Sequence, residues 1–142
     1  MKKKFQVIIM LIVLAIFTQG FMLAATSTPD EIIGSYWSPN KDAKIEIYTK
    51  GHQYFGKFIW IAIPRKDTKN PVKALQDRDV LGLELLTGFA WDNGVYSGGE
   101  IYDPQTGKTY ACKLTLEGCK LKVRGYVGIS LFGRTEYFER IK

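Results

Sequence analysis

The chain has 142 residues, 46% of them hydrophobic and 24% charged, with 14 Gly and 5 Pro. That length fits one domain rather than two, and that apolar content excludes a wholly disordered chain. The formal charge of +6 is unevenly placed, because three Lys stand at positions 2 to 4.

Those lysines open a leader. An apolar run from Phe5 to Phe17 is broken only by Gln6, and Thr18, Gln19 and Gly20 precede a second apolar patch, Phe21 to Ala25. Basic, apolar, then small residues is the order of a secretory signal. Cleavage is expected after Gly20 or Ala25. The main run is shorter than the ~20 residues of a spanning helix, so residues 1–25 read as a signal peptide and the processed chain as carrying no membrane span; the alternative is an uncleaved anchor, since Phe5 to Ala25 together would just reach that length. Removing three Lys and no acids takes the net charge from +6 to +3. That is no nucleic-acid footprint, and the expected destination, periplasmic or extracellular, argues independently against one.

Residues 26–142 form the expected domain. Thr28-Pro29-Asp30-Glu31 predicts a short helix with a capping hydroxyl and Pro in its first turn. Strands are expected over 33–38, 43–49 and 53–62. In the second, Ala43, Ile45, Ile47 and Thr49 alternate with Lys44, Glu46, Tyr48 and Lys50. In the third, Tyr54, Gly56, Phe58 and Trp60 share one face. Residues 64–80 are polar without a period of two, and Pro71 suits the start of a short helix near 72–78.

Strands over 83–91 and 95–102 flank Asp92-Asn93-Gly94, a hairpin signal. Gly98-Gly99 marks a bulge or bend. The next hairpin, 108–116 with 119–126, puts Cys112, Leu114 and Leu116 inward, then Cys119, Leu121 and Val123. With Glu117-Gly118 as the turn, Cys112 falls opposite Val123. The two thiols then lie roughly 13 Å apart along the strands, too far for a disulfide, and both read as buried free thiols. A last strand covers 134–141. Eight antiparallel strands in sequence predict an all-β, single up-and-down barrel.

Ile101-Tyr102-Asp103-Pro104-Gln105-Thr106-Gly107-Lys108-Thr109-Tyr110 leads into Cys112-Lys113-Leu114-Thr115-Leu116. Leu121-Lys122-Val123-Arg124-Gly125-Tyr126 and Gly128-Ile129-Ser130-Leu131-Phe132-Gly133-Arg134-Thr135 follow. Together these resemble a family of small exported bacterial proteins, domain of unknown function 2147, over about residues 31–140. Gly82-Leu83-Glu84 and the strand from Gly56-Lys57 to Trp60 are similar to it too. The resemblance implies a lipocalin-like fold and supplies no reaction. Two departures stand out: the family's Gly-x-Trp opening becomes Gly34-Ser35-Tyr36 with Trp37 one place on, and a Cys before Gly56-Lys57 is absent.

Functional groups are sparse. The single His, His52, falls in a predicted turn, so no triad or His-rich metal site is available, and no cofactor is expected. Glu84 and Asp103 could face each other across the Asn93-Gly94 hairpin, although local roles fit each better. The inward set Tyr54, Phe58, Trp60, Leu114, Leu116, Leu121 and Val123 either fills the barrel or lines a pocket for a small apolar ligand.

Tyr36, Trp37, Ile129, Leu131, Phe132 and Arg134 are the residues expected to close or gate the barrel. Ile129, Leu131 and Phe132 sit in a loop, where apolar side chains are unusual. They would either plug one barrel end or form a gate or a partner-binding tip; the plug is favoured because exposure would invite aggregation. Arg134 would pair with Glu136 or lie over an aromatic ring. Arg124, among outward lysines, reads as a solvated charge. The leading expectation is thus an exported, non-enzymatic binder of a small apolar ligand. The alternative is a protein-interaction module with a packed interior.

Overall fold

The computed structural model describes residues 27–142; the expected signal peptide lies outside them. Eight strands form one closed antiparallel barrel in sequential order. They are β1 (Gly34–Trp37), β2 (Ala43–Lys50), β3 (Gln53–Ile61), β4 (Glu84–Asp92), β5 (Val95–Asp103), β6 (Lys108–Glu117), β7 (Lys120–Tyr126) and β8 (Arg134–Arg140). Closure is short: β1 and β8 share two register pairs, Tyr36↔Arg140 and Trp37↔Glu139, and just beyond them Ile141 N donates to Ser35 O at 2.8 Å. The expected strands appear within about two residues of their expected ends. A closed barrel leaves no open sheet edge, which is how a chain of this length avoids edge-to-edge association.

Alternation of apolar and polar residues puts Ile45, Ile47, Tyr54, Phe58, Leu114, Leu121, Val123 and Phe138 in the interior, all buried. The first expected helix is a 3-10 turn over Pro29–Ile32, and Thr28 caps it with its carbonyl, which accepts from Glu31 N at 3.2 Å, not with its hydroxyl. The second is a 3-10 turn over Lys73–Leu75, with Asn70 Oδ1 accepting from Val72 N.

Three expectations about facing are corrected. Trp60 is turned outward and 41% exposed. Lys44 pairs with Trp60 while Ile45 pairs with Phe58, so Ile59 is an extra residue that reverses the alternation. Cys119 is exposed, because Glu117 pairs with Lys120 and the turn is Gly118-Cys119. Cys112 therefore lies opposite Gly125 rather than Val123; both thiols are free, as expected. Third, the apolar side chains of the 127–133 loop face solvent rather than the barrel end.

An up-and-down barrel sends successive connections to alternate ends. The turns at 51–52, 93–94 and 118–119 share one end with the Pro29–Ile32 turn. The segments 38–42, 62–83, 104–107 and 127–133 share the other, the loop end.

Candidate functional site

The turn-bearing end is sealed. Ile32 is fully buried. Three interior phenols donate to the turn beneath it: Tyr36 to Ile32 O at 2.7 Å, Tyr54 to Asp30 Oδ1 at 2.8 Å and Tyr96 to Pro29 O at 2.6 Å. Burial, then the Asp30 carboxylate, pushes the Tyr54 phenol up to about 12. Burial, then Tyr54 itself, does the same for Tyr96. Both stay protonated near neutrality, as donors to this cap.

Arg140 completes the seal. Its guanidinium carbon lies 5.0 Å from the Tyr36 ring centroid. It donates to Tyr36 Oη at 2.6 Å, Ile33 O at 3.2 Å and Glu31 O. The expectation of an Arg over an aromatic ring thus holds for Arg140, not Arg134. Arg134 is exposed and paired with Glu136 at 2.9 Å. Tyr36 is a closing residue by position. Trp37 is half-buried on the outside of the wall, edge-on to Trp60 at 5.7 Å, with Lys44 Nζ 4.5 Å from its ring centroid.

Of the inward candidates, Tyr54, Phe58, Leu114, Leu121 and Val123 are buried together and Leu116 is half-buried against them. The barrel wall is tightly packed at two inward glycines. A methyl group on Gly56 would come within 2.9 Å of Leu86 Cδ1 and 3.0 Å of Ile47 Cδ1; one on Gly99 would come within 2.6 Å of Phe89 Cγ. Contacts that close leave no free space beside these walls. Among the described residues, hollows also open to solvent. One, of about 590 Å³, is lined by residues including Arg78, Leu81, Glu84 and Thr87; another, of about 390 Å³, by residues including Asp30, His52, Tyr54 and Trp91. Burial pushes the Cys112 thiol up to about 12.

The β4–β5 register, which runs from Asp92↔Val95 to Leu86↔Ile101, sets Glu84 opposite Asp103 as the two-residue Asn93-Gly94 turn predicts, but each carboxylate has partners of its own. Glu84 accepts from Tyr48 and Lys50, and hydrogen bonds from Lys50 and then Tyr48 hold its carboxyl below the usual range. Asp103 accepts from Gln105 N at 2.9 Å and Thr106 Oγ1 at 2.8 Å, closing its own turn.

At the loop end, the polar 64–80 segment is anchored by a buried carboxylate that the sequence does not single out. Asp67, fully buried, accepts from Tyr102 Oη at 2.6 Å, Asn70 Nδ2 at 2.8 Å and Arg78 Nε at 2.9 Å. Burial alone would raise its carboxyl, but these three donors and the Arg78 charge outweigh that and hold it below its ordinary value. Gly107 fixes the same segment to the β5–β6 turn: a side chain there would overlap Lys69 O.

Opposite, the 127–133 loop is no plug. Ile129 is 59% exposed, Leu131 73% and Phe132 80%. Arg124 is not a free surface charge: it donates to Ser130 O at 2.7 Å, Leu131 O at 3.0 Å and Thr135 Oγ1 at 2.7 Å. By satisfying the loop's carbonyls it holds the backbone against β7 and leaves the apolar side chains outside.

A family model for uncharacterized proteins conserved in bacteria, DUF2147, matches residues 34–140. The chain belongs to that family. Among solved structures it is similar to protein HP1028 from Helicobacter pylori, described as belonging to the lipocalin family. Identity is 21%, over 79% of this chain and 84% of that one, with a TM-score of 0.73. At that identity the likeness is one of fold. No curated protein matches the chain.

Proposed function

We propose that this protein is an exported, non-enzymatic lipocalin-like binding protein that makes its contacts at the loop end of a packed barrel. The observation that carries this reading is the contrast between the two places a ligand could go. The interior has no room for a methyl group beside Gly56 or Gly99, whereas the loop end presents Ile129, Leu131 and Phe132 to solvent. Export rests on the order of residues in 1–25. A non-enzymatic role is supported by phenols and a thiol that keep their protons near neutrality, and by the exposed position of His52.

A small apolar ligand inside the barrel is the second reading, favoured by the likeness to a lipocalin-family protein. It requires interior side chains such as Phe89 and Leu86 to move aside. Native mass spectrometry of the purified processed protein separates the two. The bare polypeptide mass is expected. A stoichiometric lipid-like adduct, lost on widening or blocking the interior, would replace the first reading by the second.

A further inference from the structure

We propose that the loop end docks on an anionic lipid bilayer, with the 127–132 tip entering the interface. The inference rests on the loop-end reading above and names the partner.

Four large apolar side chains, Val127, Ile129, Leu131 and Phe132, crowd one tip and are each more than half exposed. Such a concentration marks a contact surface. The tip also goes part of the way to the condition that hydrocarbon imposes on backbone. Polar main-chain groups entering an interface must be satisfied from within. Arg124 supplies donors to Ser130 O and Leu131 O. Phe132 N and Gly133 N donate to Ile129 O at 3.3 Å and Ser130 O at 3.2 Å. The side chains are free to leave water while the Ile129, Ser130 and Leu131 carbonyls keep their partners.

A second apolar loop shares this end. Ile63, Val72 and Leu81 are each more than half exposed in the 62–83 segment, four strands round the barrel from the tip. Two apolar loops on opposite sides of one rim define a plane rather than a pocket, which fits a flat surface.

Charge selects the kind of surface. Lys66 and Arg78 are paired with Asp79 and Asp67. That leaves Arg65, Lys69 and Lys73 against Asp77 in the same exposed segment. Cations beside apolar anchors favour anionic headgroups. Trp37 and Trp60 pack together on the outer wall at the loop-end termini of β1 and β3, with Lys44 over both rings. Amphipathic rings at that level are what a headgroup layer accepts.

The test is co-sedimentation of residues 26–142, a chain that contains the whole closed barrel and its core, with phosphatidylglycerol–phosphatidylcholine vesicles. Partitioning onto these vesicles is expected, with much weaker binding to pure phosphatidylcholine and at high salt. The double substitution Leu131→Ser, Phe132→Ser should weaken binding at least tenfold, since both side chains are exposed and the fold does not depend on them. Lys69→Glu with Lys73→Glu should weaken it on anionic vesicles only. Absence of binding by the unsubstituted chain, or unchanged binding by the Leu131/Phe132 variant, overturns the lipid surface and points the tip at a protein. An interior ligand seen by native mass spectrometry overturns the loop-end reading beneath it instead, so the two failures are distinct.

Discussion

Arg140, the last residue of β8, lies across the ring of Tyr36 at 5.0 Å and donates to its hydroxyl at 2.6 Å, joining the final strand to the first. Since β1 and β8 share only two register pairs, this side chain carries much of the closure. Arg140→Ala should cost about 1–3 kcal/mol, the range for losing charge-assisted hydrogen bonds and a cation–π contact. Arg140→Lys should recover only part, because an ammonium cannot both lie flat on the ring and fork to three acceptors. Urea unfolding of the two variants checks this; full rescue by Lys would remove the stacking argument.

Phe132→Ala should leave the urea midpoint within about 1 kcal/mol of the parent, as exposed positions usually do. A buried plug would instead lose ~3–5 kcal/mol. With the side chain 80% exposed, the first outcome is expected.

Arg124→Ala removes the donors from two loop carbonyls at once. A loss of about 1–3 kcal/mol is expected, together with faster proteolysis between Val127 and Gly133. Unchanged protease sensitivity would show that the loop holds its shape without the arginine.

Asp67 gives stability a dependence on acid. Its folded pKa is depressed, so its contribution is complete above the ordinary carboxyl value of ~4 and is lost as pH falls through the lower folded value. Asp67→Asn should therefore destabilise the protein at neutral pH by about 1–3 kcal/mol. The gap to the parent should narrow as pH falls below ~4. Urea midpoints for the pair across pH 2–7 read this directly, and a gap independent of pH would contradict the charged state of Asp67.

The expectations that held were those set by periodicity and turn chemistry. Alternation at Ala43–Lys50 and the Asn93-Gly94 turn place β2, β4 and β5 without any long-range information. What failed depends on single-residue slips or distant partners. One extra residue, Ile59, turns Trp60 out of the core, and nothing in Phe58-Ile59-Trp60 announces it. A turn moved by one, to Gly118-Cys119, exposes a thiol. Arg134 and Arg140 both follow β-strand spacing on the last strand; only closure against Tyr36 tells them apart. Asp67 reads as one more charge in a polar run, because its burial is made by Tyr102, 35 residues away, and by Arg78. At the candidate site, the apolar loop was legible as an anomaly. Its outward direction was not, since that depends on what Arg124 holds.

Urea unfolding of Leu114→Ala tests most directly whether the barrel interior is packed. Leu114 is 1% exposed, on β6 between Tyr96 and Val123 in the register. In a filled core, the substitution should cost about 2–5 kcal/mol with an unchanged slope. A loss below about 1 kcal/mol would mean that Leu114 lines open space, and that result would contradict the packed barrel.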